Sequence, residues 1–289
     1  MEKLYGKIIG KREHVDVVLR TLLENAPPDV IPYILEGLKN VSNIVLALPF
    51  TRYGWLLVIY EAVGRTENNT IIVYFNTENV DWTLSTIVHE LTHKALNISH
   101  RTILDAIIDE TLAYLASFKY GFLRLYEKGV REAISILSKH VIAWEEHELI
   151  NIYIPRIIAR DLVNHNFTSV VKSVIGNFSN LISLWLKSKP EEDMKTALSN
   201  ALSAIGLSPE TYGLKRYECR KETRTTYSRK TILEGVDRSY VEMKEILEEI
   251  VKEPSKLKEL LSPWWDEVEP ILNDIKAYIA YRRLSSVQG

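Results

Sequence analysis

One cysteine (Cys219), one glutamine (Gln288) and three methionines are all that the 289 residues contain of these types. A lone thiol excludes an internal disulfide framework and any cluster of thiolate metal ligands, and it points to a reducing, cytoplasmic setting. Scarcity of such labile residues is also a thermophile-like bias. Neither sign of charge dominates. The 36 Lys and Arg residues against 38 Asp and Glu leave a net charge of −2, so nothing draws the chain as a whole to nucleic acid or to an anionic membrane. A long apolar run is missing too. The most membrane-like stretch, Ile44 to Val63, contains Pro49, Arg52, Gly54 and Glu61, and it reads as two short strands rather than a span. The amino-terminal MEKLYGKIIGKREHV is charged throughout and has no apolar signal core, so the Asn-x-Ser/Thr sequons carry no weight.

What is present suffices for a real core: 46% of the residues are hydrophobic and 26% charged, which allows one large or two modest domains. Apolar spacing predicts helices over 14–25 and 30–39, separated by Pro27 and Pro28. NIVLALPF, WLLVIYEAV and TIIVYF are short, β-branched and aromatic, and turn chemistry such as GRTENN separates them. These predict strands, the last two pairing as a hairpin. After Asn76 the period changes. Asp81 can cap a helix of roughly 82 to 97 whose apolar flank is Leu84, Ile87, Val88, Leu91 and Ala95. Asn97 to Arg101 reads as a turn. A helix from Thr102 to about Tyr120 follows, with Thr102 and Asp105 as capping box and Gly121 as its stop. Beyond residue 122 helical spacing prevails near 130–164, 169–188, 191–205, 232–253 and 255–283, with 206–231 as an irregular connection. The expected fold is therefore α+β, with a mixed domain over 1–128 and an all-helical domain over 129–289.

The stretch TIVHELTHKAL, residues 86–96, carries the chemistry. His89 and His93 are four apart, so on a helix they share a face about 6 Å apart along the axis. Two imidazoles so placed can bind one metal ion, and Glu90 beside them can handle a proton. A core helix whose histidines are satisfied by neighbours would account for the pair as well. Two features favour the metal. The motif lies on a segment with strong helix signals directly after a strand, and the next helix carries a carboxylate where a third ligand belongs. With antiparallel helices, His89 and His93 lie about 12 and 6 Å from the turn, and Glu110 about 12 to 13 Å along the second helix. Glu110 is thus level with His89. The small residues Ala106 and Ala113 allow close approach. Inside ILDAIIDETLAYLA an unpaired carboxylate would be costly to bury, and a zinc ion removes that cost. Two histidines and one glutamate leave the fourth position of a zinc ion open, as in catalytic sites.

HELTH followed by an IIDETLAYLA helix resembles the gluzincin metallopeptidases, the thermolysin-like branch of the zincins, over about residues 70 to 120. The resemblance implies a zincin-like catalytic half holding Zn2+ through His89, His93 and Glu110. It implies Glu90 as general base, a peptide or protein as substrate, and a hairpin roofing the cleft. It departs at Tyr114, one turn after Glu110, where such enzymes can carry an aspartate bonded to a ligand histidine; Asp109 is the substitute the sequence offers. The metzincin pattern fits worse, because Leu96 stands at the glycine position and His100 falls one residue late.

In EEHELIN around His147, Asn151 replaces the second histidine, which leaves a solvated helix face. His14, His140 and His165 have no constellation about them. KRYECRKETRTTYSRK, 215–230, holds seven basic residues against two acidic and could touch phosphates and bases; the chain's balanced charge favours a solvated loop. The functional alternative to a peptidase is a catalytically silent zincin-fold protein acting as a binding or regulatory module through its helical half.

Overall fold

The computed structural model describes residues 7–123, 148–188, 191–206 and 237–287, with isolated positions between 127 and 134. The fold is α+β: a small four-stranded sheet with helices making up most of the rest. By internal packing the chain groups into two units whose segments alternate along the sequence. One comprises Met1–Glu24, Val41–Ile87 and Thr225–Gly289, the other Asn25–Asn40 and Val88–Arg224. No helix among the described residues is long and apolar enough to cross a membrane.

The first unit holds strands β1 (Ile8–Ile9), β2 (Asn43–Ala47), β3 (Gly64–Glu67) and β4 (Thr70–Tyr74) in the order β1-β2-β4-β3. β2 and β4 run parallel, Ile44 opposite Ile71 and Val45 opposite Ile72. Their apolar residues are buried without alternation, as befits strands covered on both faces. β3 is the antiparallel edge. Its sequence GRTE is half-buried and polar, which protects an edge from further pairing. Asn68, at positive φ, makes the tight turn into β4.

The hairpin expected between WLLVIYEAV and TIIVYF is therefore corrected: β4 pairs with GRTE, and the WLLVIY run is helical. Helix α1 (Arg12–Glu24) and helix α2 (Ile31–Asn40) match expectation, and α3 (Arg52–Ile59) replaces the strand. Thr51 caps α3 by accepting the Gly54 amide. Trp55 through Ile59 are all buried, so this helix is apolar all round, and an apolar run of this length does not reveal its period. Packing decides. Trp55, Leu57 and Ile59 share one core with Val45, Ile72 and Tyr74 of the sheet and with Tyr240, Met243, Leu247 and Ile250. Those last four form the buried stripe of helix α10 (Arg238–Lys252). Asp237 caps α10 and also accepts from the Tyr74 hydroxyl at 2.9 Å, tying that helix to β4.

The β4 end leads into helix α4 (Val80–Leu96), which carries the HELTH motif. Asn76 prepares the turn, its side-chain oxygen accepting the Glu78 and Asn79 amides. The Thr83 hydroxyl accepts the Asn76 amide and donates back to the Tyr74 carbonyl. Helix α5 (Ile103–Ser117) starts at the anticipated capping box of Thr102 and Asp105. It runs into a π-helical turn, Phe118–Phe122, where Gly121 takes φ 101°.

In the second unit, α5 packs along α6 (Ile154–Leu162). Helices α7 (Phe167–Val174), α8 (Phe178–Lys187) and α9 (Glu192–Ala204) follow. The single helix expected over 169–188 is thus two. Gly176 turns the chain at φ 70°, and Asn177 caps the second by accepting the Asn180 amide. The segment expected as helix over 255–283 opens with short turns at Pro254, Pro263 and Pro270 before α11 (Leu272–Val287).

One close approach steadies the motif helix. Gly37 of α2 faces Leu91, and a methyl at Gly37 would sit 2.2 Å from the Leu91 carbonyl oxygen. The Asn40 amide adds a bond to the Lys94 carbonyl at 3.0 Å. Gly37→Ala is expected to cost about 1–3 kcal/mol by overpacking. The measurement is the midpoint of thermal unfolding. An unchanged midpoint would show that these helices do not meet so closely.

Candidate metal centre

Residues 88–96 of α4 are set by their apolar positions: Val88, Leu91 and Thr92 are buried, and the Thr92 hydroxyl bonds back to the Val88 carbonyl at 2.8 Å. That orientation leaves His89, Glu90 and His93 on a half-buried flank. On α5 the residues around Glu110 are buried, while Glu110 itself is half-buried. The two flanks bring three side chains together. His89 Nε2 and His93 Nε2 are 3.0 Å apart, and Glu110 Oε2 lies 3.5 Å from the first and 3.8 Å from the second. Among the described residues this is a grouping able to hold a metal ion, its three ligand atoms all within 4.8 Å of one another. Donor atoms at tetrahedral positions about 2.0–2.2 Å from a zinc ion would be roughly 3.3–3.6 Å apart. The observed separations bracket that spacing, and the donor set of two imidazoles and a carboxylate fits zinc. The side chains of His89, His93 and Glu110 keep 15%, 19% and 17% of their surface accessible.

Asp109, proposed from sequence as a substitute partner, bonds His93. Its Oδ2 is 2.8 Å from His93 Nδ1. A carboxylate there accepts from Nδ1 and turns Nε2 toward His89 and Glu110, the orientation in which such partners usually support a metal-binding imidazole. His100 also reaches Asp109, with Nε2 2.7 Å from the same Oδ2. It does not join the cluster of His89, His93 and Glu110.

Burial and the facing charges oppose one another across the cluster. Burial alone would favour a neutral His93, but the Asp109 and Glu110 carboxylates outweigh it and push the imidazole up to about 10, with Glu90 adding to the same effect. Burial would likewise raise Asp109, yet the His93 and His100 imidazoles hold it well below the usual carboxylate range. Burial raises Glu110 too, and His93 and His89 together bring it below its ordinary value. The carboxylates are thereby kept ionised beside a protonated His93, and a metal ion that binds such an imidazole must displace its proton.

Two further neighbours complete the surroundings: Tyr114, met in the sequence only as a departure from the pattern, and Arg156, which the sequence reading did not single out. Tyr114 packs its ring on His89, centroids 4.6 Å apart. The buried Arg156 of α6 lays its guanidinium over that tyrosine, 4.9 Å from the ring centre. The available signal was an arginine inside the apolar run IYIPRIIA. Of the histidines without a constellation, His14 stacks on Phe75 at 4.0 Å and His165 bonds the Ser188 hydroxyl at 3.0 Å. His140, His147 and the basic stretch 215–230 lie outside the described residues.

Neither the sequence nor the fold of this chain matches a known protein family, a curated protein or a solved structure.

Proposed function

We propose that this protein is a zinc-dependent metallopeptidase of gluzincin type, with a zincin-like arrangement of α4 and α5. The observation that carries the reading is the meeting of His89 Nε2, His93 Nε2 and Glu110 Oε2 within 3.0–3.8 Å, beside a glutamate that is not one of the three. His89, His93 and Glu110 hold the cation, and three protein ligands leave a position open for substrate chemistry. Zinc bound there supplies Lewis-acid polarisation of the scissile carbonyl and of water.

The chain's own residues do the rest. Glu90 follows His89 by one residue, about 100° around the helix, so it flanks the ligands rather than joining them. It accepts the proton of the attacking water and returns it to the leaving amine, as a positioned general base and acid. Asp109 keeps His93 in the tautomer that ligates. The substrate is an extended peptide or a protein segment.

The experiment that tests the reading is hydrolysis of casein or of an unbiased peptide library by protein purified without chelator. Zinc content is measured on the same sample. Cleavage that disappears with a chelator and returns with zinc supports the peptidase. A zinc-loaded protein that cleaves nothing points to the silent binding module instead. The basic stretch has no part in this chemistry. Replacing Lys215, Arg216, Arg220 and Lys221 with serine is expected to leave the hydrolysis rate unchanged; a lower rate at full zinc content would place this stretch against substrate.

A further inference from the structure

Building on the metal-centre reading, we propose that His100 is a positioning residue for the bound cation, acting through Asp109. The connection between α4 and α5 is short. Asn97 turns it with φ 46°, the Arg101 amide bonds back to the Ser99 carbonyl at 2.8 Å, and the Thr102 capping box starts the next helix. This turn places the His100 ring beside the first half of α5. There one carboxylate oxygen, Asp109 Oδ2, receives two imidazoles: His93 Nδ1 at 2.8 Å and His100 Nε2 at 2.7 Å. The other oxygen, Oδ1, is buried without a hydrogen-bond partner among the described residues. Asp109 as a whole keeps only 5% of its side-chain surface accessible.

The consequence is mechanical. A carboxylate fixed through one oxygen only is held in direction by the donors on that oxygen. With both imidazoles donating, Oδ2 is gripped from two sides and aims at His93 Nδ1. Without His100, a buried carboxylate with an unsatisfied second oxygen retains one tether, and it can rotate toward water that enters the space left by the ring. His93 then loses part of the constraint that keeps its Nε2 facing His89 and Glu110. Outer partners of ligating histidines are typically worth 10–100-fold in metal affinity. His100 stands one bond further out than Asp109, so its effect belongs at the lower end.

The test is zinc affinity by competition with a chromophoric chelator, using the full chain and zinc alone as the probe. His100→Ala is expected to weaken binding about 10-fold while the site still fills at saturating zinc. His100→Gln, which can present an amide N–H near the same oxygen, is expected to recover most of that loss. Adding His100→Ala to Asp109→Ala should change nothing further, because the proposed path runs through Asp109 alone. If His100→Ala does not fold, His100→Asn, too short to reach the oxygen, takes its place in the same comparisons. A His100→Ala protein with wild-type affinity, or losses that simply add in the double variant, overturns the role of His100 while leaving the metal centre standing. His89→Ala serves as the control for that centre. If the wild type and His89→Ala bind zinc equally weakly, the centre itself is refuted, and His100 with it.

Discussion

Glu90→Gln protein is expected to fold, to bind zinc as the wild type does, and to hydrolyse peptides more slowly by a factor on the order of 10² or more. The reason is chemical rather than steric. Glutamine keeps the shape of glutamate and one acceptor oxygen, so a water molecule can still be held beside the cluster. It cannot accept the proton, and the nucleophile must then be deprotonated by solvent. Since Glu90 is not among the three clustered ligand atoms, its replacement leaves the metal site intact, and zinc measured on the same preparation separates loss of base from loss of metal. Turnover that is undiminished in a zinc-loaded Glu90→Gln protein would remove Glu90 from the mechanism.

The second large effect is at Glu110. Its Oε2 supplies the only carboxylate among the three converging atoms, so in the proposed centre Glu110→Ala removes one of three protein ligands. Zinc affinity should fall by more than the roughly 100-fold that marks the upper range for outer partners, and hydrolysis should vanish with it. Thermal unfolding gives a readout that needs no substrate. A ligand that binds only the folded state stabilises it by about 2.7 kcal/mol at a hundred times its dissociation constant. The wild type should therefore melt at a higher temperature with zinc than without, and Glu110→Ala should show no such rise at the same zinc concentration. His100→Ala, by contrast, should still respond once zinc is saturating. If His100→Ala abolishes the response and Glu110→Ala retains it, the third ligand has been assigned to the wrong residue.

The meeting of His89, His93 and Glu110 was legible because its signals are local. His89 and His93 share a face through the pitch of the helix alone, and the Thr102–Asp105 capping box marks the start of α5 within four residues, as found. From those two facts and a turn of fixed length, counting 1.5 Å per residue already brings Glu110 level with His89. The structure has them 3.5 Å apart. What could not be counted out was which oxygen meets which ring nitrogen. Asp109 faces both His93 and His100, an arrangement that depends on the rotation of α5 about its own axis. That rotation follows from the burial of Ile107, Ile108, Leu112 and Leu115, residues on several sides of the helix whose pattern indicates no single inward direction.

The sequence by itself determined the elements whose reasons lie within a few residues: the apolar β2 and β4, the capped α5, the motif helix α4, and a pair of histidines four apart with a glutamate between. Only the tertiary structure decided the rest. It made a helix of Arg52–Ile59, because a run that is apolar on every side takes the conformation its surroundings can cover, here the sheet and the stripe of Tyr240, Met243, Leu247 and Ile250. It grouped α10, far along the chain, with the strands near its beginning. And it brought Tyr114, Arg156 and His100 around the candidate centre, since such contacts join residues whose separation in sequence carries no period to read.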